Sequence, residues 1–311
     1  MNSTPEISVV IPLLNEEESL TELTAMIVDA IGTMNRSYEI LFIDDGSSDR
    51  SFEIIRRLQS QNPNVRALKF RKNFGKSAAL AEGFRRTRGR YVITMDADLQ
   101  DDPREIPNLI KKLEEGYDLV SGWKKKRFDP IGKTIPSKFF NFVTGRMTGI
   151  NLHDFNCGLK GYRSEVVKDV SLYGELHRYI PALAKWEGYS RITEIVVQHH
   201  PRKYGYSKFG MARFFRGFLD LVTVLFLSRY VKRPLHFFGF IGVFIFLIGL
   251  GINTYLSIDW FLGVPLANRP MLFLGILLML IGFQILMTGL IGEMITHHSQ
   301  KTQEHPVREE I

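Results

Sequence analysis

The sequence predicts an α/β protein: a Rossmann-like domain on a mostly parallel sheet, then an amphipathic helix and a two-helix membrane hairpin. Three observations predict it. From Ile7 to about Val120, short apolar runs alternate with helix-length amphipathic segments, the βαβα rhythm of a helix-covered parallel sheet. One apolar run ends directly in Asp96-Ala97-Asp98-Leu99-Gln100, a carboxylate pair at a strand's C-terminal end, where open α/β sheets bind ligands. Two long apolar stretches close the chain.

Taken in order, Ile7–Leu14, Glu39–Ile43, Val65–Phe70, Tyr91–Met95 and Asp118–Ser121 read as buried strands. Between them, Glu17–Ile31, Asp49–Gln59, Lys76–Thr87 and Pro103–Glu115 carry helical periodicity. Ser47 and Ser48 offer an N-cap to the second helix, and Gly89 a stop to the third. Regularity fades after Gly122. A basic loop, Lys124 to Arg127, precedes a helix candidate at Pro136–Met147. Asp154–Arg163 reads as a loop entering a strand, followed by a helix near Arg178–Glu187 and a strand at Ile192–Gln198.

Phe209–Tyr230 mixes aromatics and leucines with Arg213, Arg216 and Asp220 at helical spacing. Its apolar run is too short to span a bilayer, so an interfacial amphipathic helix is expected. Leu235–Ile258 and Met271–Gly292 carry no charge and run 24 and 22 residues, enough to cross ~30 Å of hydrocarbon. Arg229, Lys232 and Arg233 precede the first and His297, His298 and Lys301 follow the second, whereas the connection holds only Arg269 as a base. The positive-inside rule then puts both ends of the hairpin in the cytoplasm of an inner-membrane protein. The lone Gln284 reads as an inter-helix hydrogen bond. The expected organisation is a catalytic domain over 1–208, a juxtamembrane region over 209–233, the hairpin over 234–293 and a tail over 294–311. Whether the spans also join copies into a homo-oligomer is left open.

The bulk numbers agree with this division. The 311 residues are 45% hydrophobic with a net charge of +7, and the mean hydropathy of -0.05 averages a polar half with a very apolar one. Beside apolar spans, the positive charge favours anionic lipid and phosphate-bearing substrates over nucleic acid. Cys157 is the sole cysteine, so no internal disulfide forms, as suits a cytoplasmic catalytic part. Met1–Glu6 is short and polar, and no signal peptide is expected.

Asp96 and Asp98 can together hold one hard divalent cation, with donor phosphates supplying further oxygens; Asp101 and Asp102 read as charges at the next helix's N-terminus. A second acidic cluster, Asp44-Asp45-Gly46-Ser47-Ser48-Asp49, follows another strand, and its carboxylates can accept from a ribose hydroxyl or a base N–H. No Gly-x-Gly-x-x-Gly accompanies it, which disfavours a dinucleotide oxidoreductase. Pro12 and Glu16 share a sheet edge after the first strand, although Glu16 to Glu18 equally suit a helix's first turn. His153, His177, His199 and His200 have no metal-ligand spacing and are assigned to structure.

The ordered motifs "VVIPLLNEEESL", "FIDDGSSD", "KNFGKSAALAEGF" and "MDADLQDDP" resemble family 2 inverting glycosyltransferases of the GT-A fold. With "DFNCGLKGYR", "PRKYGYSKFG" and two C-terminal spans, the chain is similar to polyisoprenyl-phosphate hexose synthases, such as dolichyl-phosphate mannose synthase and bacterial undecaprenyl-phosphate glucosyltransferases. The resemblance implies that Pro12, Leu14, Glu16 and Asp45, with Asp44 beside it, bind the nucleoside, and that Lys76 lines the nucleotide side. It implies that Asp96, Ala97 and Asp98 meet the diphosphate and a Mg2+ or Mn2+ ion, with Gln100 a further ligand. Asp154 falls where some relatives have a proposed base, and Arg202 and Lys208 would hold phosphate. One departure stands out: Gly122-Trp123-Lys124 replaces a Gly-Ser-Arg common in relatives.

The implied reaction moves a hexose from a nucleotide diphosphate sugar to a polyisoprenyl phosphate at the bilayer. Uridine diphosphate glucose with undecaprenyl phosphate is the first pairing implied, and guanosine diphosphate mannose the second. A lipid phosphate has a second pKa near 6 and is already anionic at neutral pH, so Asp154 is expected to position the acceptor or stabilise positive charge rather than take a proton. A processive polysaccharide synthase would carry Gln-x-x-Arg-Trp and more spans. A tethered nucleotide-sugar-binding scaffold would not need Asp96, Asp98, Arg202 and Lys208 together.

Overall fold

The computed structural model describes residues 4–125, 141, 144–146, 148–174, 176–201, 203, 234–265 and 269–300. Arg202, Lys208, the 209–230 segment and most of the 136–147 helix candidate lie outside the described residues. The chain divides into two compact units, Met1–Leu221 and Val222–Ile311.

The first unit follows the expected alternation: β1 (Ile7–Leu13), α1 (Leu20–Gly32), β2 (Tyr38–Asp44), α2 (Ser51–Gln61), β3 (Val65–Lys69), α3 (Lys76–Arg86), β4 (Tyr91–Thr94) and α4 (Ile106–Glu114). A 3-10 turn at Pro103–Glu105 opens α4. Then come β5 (Leu119–Trp123), β6 (Lys160–Arg163), α5 (Ser164–Asp169), α6 (Ile180–Trp186) and β7 (Ile192–Val196). The described sheet has seven strands in the order β3-β2-β1-β4-β6-β5-β7. β6 runs antiparallel to β4 and β5, so the layer is mixed. The six-residue α5 was not expected; it is too short for its periodicity to show.

Two apolar layers cover the sheet. Val9, Ile11, Phe42 and Ile93 pack against α1, α2 and α4, while Val10, Leu41, Ile43, Val92 and Tyr162 pack against α3, α5 and α6. β1, β2 and β4 contribute to both, which explains their unbroken apolar runs. Gly89 is not a helix stop: α3 ends at Arg86 with Thr87 as its cap, and a Cβ on Gly89 would lie 2.6 Å from the Ser8 nitrogen. It is glycine because β1 starts there.

The second unit is a hairpin of α7 (Pro234–Phe261) and α8 (Pro270–Gln300), both long and apolar enough to cross a membrane. Its helices meet through small residues: a Cβ on Gly242 would sit 2.7 Å from the Gly282 carbonyl, and one on Gly249 2.6 Å from that of Gly275. Such close approach is how helices associate in lipid, where apolar burial drives nothing. Gln284 is exposed rather than shared between the helices; one polar contact between them runs from Asn253 Nδ2 to Met279 Sδ at 3.4 Å. Arg269 pairs with Asp259 in the connection at 2.8 Å, and Glu293 accepts from the Leu235 N–H at 3.1 Å, capping α7.

One buried charge braces the sheet edge opposite the strand C-termini. Glu39, its side chain 2% exposed, accepts from Ser8 Oγ at 2.6 Å and the Arg88 N–H at 2.8 Å, and pairs with Arg66 and Arg88. Burial pushes its carboxyl up, but these donors outweigh it and hold the pKa below the ordinary value. A depressed carboxylate stabilises above its unfolded pKa and loses that contribution as pH falls through the folded value. Glu39→Ala is expected to cost about 3 kcal/mol at neutral pH. Melting curves of detergent-solubilised protein should show the gap narrowing below roughly pH 4, the ordinary glutamate range; a constant gap would show that Glu39 acts by packing alone.

Candidate active site

β3, β2, β1 and β4 are parallel, so their C-terminal loops share one edge. The order reverses between β1 and β4, the switch point where such sheets open a crevice. Pro12 helps to open it. The β1–β4 register ends at Val10 and Thr94, while β1 and β2 stay paired to Leu13 and Asp44. Proline has no N–H to continue a ladder, so the two strands part where it stands.

Backbone and short side chains tie the first two loops together. Ser47 Oγ accepts from the Asn15 N–H and Ser51 Oγ from that of Glu16, both at 2.9 Å, and Asn15 Oδ1 accepts from the Ser48 N–H at 2.9 Å. Asn15 has φ 56°, a left-handed turn that asparagine tolerates. Ser47 and Ser48 are therefore loop ties and not the N-cap expected of them: α2 begins at Ser51, with Arg50 at its cap. Leu14 and Glu16 are half-buried on this edge.

The two adjacent aspartates do different things. Asp44 is fully buried and accepts from the Ser47 N–H at 2.7 Å, holding its own turn. Asp45 reaches across to the β3–α3 loop, accepting from the Phe74 N–H at 2.7 Å and the Gly75 N–H at 2.9 Å. Burial raises its pKa, with those two N–H donors opposing. Between the loops, Gly46 has φ +80°, and a Cβ there would lie 2.6 Å from the Lys72 carbonyl carbon; only glycine fits.

Asp45 thereby fixes the start of α3, whose first residue, Lys76, pairs through Nζ with Asp96 Oδ1. Burial pushes the Asp96 carboxyl up, but the charge and hydrogen bond of Lys76, with Lys124 and His177, hold it at about 2. Ala97 is buried, and Asp98 is 8% exposed and accepts from the Gln100 N–H at 3.3 Å. Leu99 between them has φ 58°, an uncommon backbone for a residue with a Cβ that does not bond locally. The Gln100 carbonyl accepts from the His200 N–H at 2.9 Å, leaving its carboxamide free of backbone duty. Oxygen donors on two carboxylates and a carboxamide suit a hard divalent cation, and they leave coordination positions for phosphate oxygens. Among the described residues no group of three or more His, Cys, Asp or Glu gathers to hold a metal alone.

Asp101 departs from expectation. It is buried and pairs with Lys124 Nζ at 2.7 Å; burial lowers the Lys124 pKa, but Asp101 outweighs this and raises it. Lys124, at the position where the sequence departs from the expected Gly-Ser-Arg, is thus held by Asp101. Asp102 does cap the following turn, accepting from the Arg104 N–H at 2.9 Å. Asp154 is buried and accepts from the Asn156 N–H at 3.0 Å. His153 stacks on Trp123 with centroids 4.0 Å apart.

A narrow cavity brings Pro12, Lys76 and Asp96 together with Asn156, Gly158, Lys160, His177 and Arg178. The last five were not singled out as site residues in the sequence: Asn156, Gly158 and Lys160 fall within the DFNCGLKGYR motif without a role of their own, and His177 was assigned to structure. Gly158 packs on Asp96 so closely that a Cβ would lie 2.7 Å from its Cγ. His177 accepts or donates at Nδ1 to Ser77 Oγ over 3.0 Å, and burial, then Lys76 and Arg178, push its pKa well down.

Comparison with known proteins matches residues 8–171 to glycosyl transferase family 2. The chain belongs to this family. It is 40% identical over 306 residues to dodecaprenyl-phosphate galacturonate synthase of Rhizobium johnstonii, covering 97% of this chain and 90% of the relative. It is 37% identical over 294 residues to undecaprenyl-phosphate 4-deoxy-4-formamido-L-arabinose transferase of Edwardsiella ictaluri, covering 93% and 88%. Glucosyl-3-phosphoglycerate synthase of Mycobacterium tuberculosis, crystallised with uridine diphosphate, shares the fold: TM-score 0.54, 18% identity, 72% of this chain and 80% of that one. The protein is a family 2 glycosyltransferase with a GT-A-like mixed sheet.

Removing the Asp45 clamp should free the 70–76 loop. Asp45→Ala is expected to lower stability by about 1–3 kcal/mol, the cost of leaving its two partners unsatisfied. Hydrogen exchange at Phe74, Gly75 and Lys76 should accelerate well beyond the rest of the domain; unchanged exchange would show that the loop holds itself.

Proposed function

We propose that this glycosyltransferase moves a sugar, with inversion, from a nucleoside diphosphate donor to a polyisoprenyl phosphate in the membrane. The observation that carries the reading is the chain-long likeness, spans included, to two enzymes named for transferring sugars to polyprenyl phosphates. Residues 1–208 act as the catalytic part on the cytoplasmic face of the inner membrane, 209–233 lie at the interface, 234–293 anchor, and 294–311 form a tail. The acceptor proposed is undecaprenyl phosphate or a near homologue, and the donor a uridine diphosphate sugar. Uridine diphosphate glucose is the neutral reference donor and guanosine diphosphate mannose the alternative base and sugar.

In this reading Pro12, Leu14, Glu16 and Asp45 hold the nucleoside beside β1 and β2, with Asp44 shaping the turn. Asp96, Asp98 and Gln100 would hold Mg2+ or Mn2+ against the diphosphate, with Ala97 keeping the two carboxylates apart and Lys76 ion-paired to the first. When bound, the cation neutralises charge on the departing diphosphate. An acceptor phosphate oxygen forms the new bond to the sugar's anomeric carbon as the bond to the diphosphate oxygen breaks, and the nucleoside diphosphate leaves with that electron pair. The acceptor is already anionic, so no side chain must remove a proton. Asp154, turned onto the Asn156 N–H, serves to orient the acceptor and to face positive charge on the sugar ring. Arg202 and Lys208 offset the repulsion between two polyanions, arginine by paired hydrogen bonds and lysine as a point charge.

The direct test supplies full-length protein in nanodiscs with radiolabelled nucleotide sugars, a polyprenyl phosphate and either metal. Label is expected in the organic phase, dependent on a divalent cation. Label appearing only as free sugar, or no turnover with any donor, would overturn the reading. Asp98→Ala should lower transfer by at least about 100-fold with the melting temperature unchanged; retained metal-dependent turnover would remove Asp98 from the metal site.

A further inference from the structure

The cavity beneath Asp96 holds a charge that the reaction just described does not use. Lys160 lies on β6, paired across the sheet with Thr94 of β4 and Ser121 of β5. Its side chain projects to the same face as that of Tyr162, two residues on, into the α3 and α6 layer. It is 3% exposed. Its ammonium donates to the Cys157 carbonyl, a neutral acceptor, and no described carboxylate pairs with it. A lysine ammonium carries three donors, and a buried one without a counter-ion is costly. Burial pulls its pKa down, and the charges of Asp154 and Asp96 push back only in part.

Among the described residues the surroundings do not supply the missing anion. The one carboxylate that lines the cavity, Asp96, is already engaged by Lys76. His177 is held neutral by burial and by its cationic neighbours. Pro12, Lys76 and Asp96 of the proposed donor site line this space while Asp98 does not, so the cavity adjoins the place of the proposed cation and diphosphate, where the sugar they carry would sit. Its volume is ≈ 20 Å³, room for a group the size of one or two waters and too little for a pyranose ring. A small anion carried on a sugar fits both the size and the charge.

We propose that Lys160, with Arg178 on the same wall, reads a carboxylate on the transferred sugar, so that the donor is a nucleoside diphosphate hexuronic acid. The ring rests above Asp96 and its carboxylate enters the cavity to pair with Lys160. A neutral hexose would offer a hydroxymethyl group there and leave the ammonium uncompensated. This deepens the sugar-transfer reading and rests on it; it also departs from the neutral glucose expected in the sequence analysis.

Wild-type protein in nanodiscs is assayed with uridine diphosphate galacturonate and glucuronate against uridine diphosphate galactose and glucose, using undecaprenyl phosphate. The uronates are expected to be preferred by about 100-fold in kcat/KM, the scale on which a buried charge left unpaired discriminates. Lys160→Met should remove most of that preference by slowing the uronates, while its inhibition by uridine diphosphate alone stays within about threefold of wild type. Equal or better use of neutral hexoses by wild type overturns the proposal. So does a Lys160→Met variant that weakens uridine diphosphate as much as the uronate donor, because the cation would then serve the diphosphate. Calorimetric binding of the same donors to wild type needs neither acceptor nor variant. It therefore tests the carboxylate preference even if Lys160→Met fails to fold or if no sugar reaches the lipid, the outcome that sinks only the transferase reading.

Discussion

The site depends on one clamp, the two oxygens of Asp45 on the Phe74 and Gly75 N–H groups. Through it the second strand's loop dictates where the third helix begins. That start places Lys76, Lys76 finds Asp96, and Asp96 lies against the Gly158 backbone. Four segments far apart in sequence are thereby registered to one another. Gly46 is the geometric condition for this, since a side chain there would push the two loops apart.

The cations around the acidic turn fall into distinct states. Lys76 and Lys124 each face a carboxylate, Asp96 and Asp101. Paired charges of this kind orient side chains more than they stabilise the fold, because desolvation offsets much of the attraction. Lys160 differs: among the described residues it donates to a carbonyl and pairs with no carboxylate. The contrast separates cations paired within the fold from the one proposed to meet the sugar.

Much of this was legible from the sequence where periodicity and parallel topology govern. The strands and helices of the first half lie close to their expected bounds because each apolar run is long enough to carry its pattern. The loops after β1, β2 and β4 could be placed on one edge because parallel strands force them there. What could not be read was contact. The Asp101–Lys124 pair spans β5, and nothing local in Asp101-Asp102-Pro103 distinguishes a buried partner of a distant lysine from a helix-end charge. The reversed direction of β6 rests on pairing with two distant strands, and its four residues, Lys160 to Arg163, look like an exposed edge. The burial of Lys160 follows from that pairing alone. Gln284 was misassigned for a related reason: helical spacing does not say which face a partner helix takes, and the glycines of α7 and α8 decided it.

Those glycines carry a consequence for where a product could go. With Gly242 against the Gly282 carbonyl and Gly249 against that of Gly275, the hairpin's two backbones touch and enclose no hydrated lumen. A glycosylated carrier formed at one leaflet would keep its polar head there, because these two helices alone offer no wet route through the hydrocarbon.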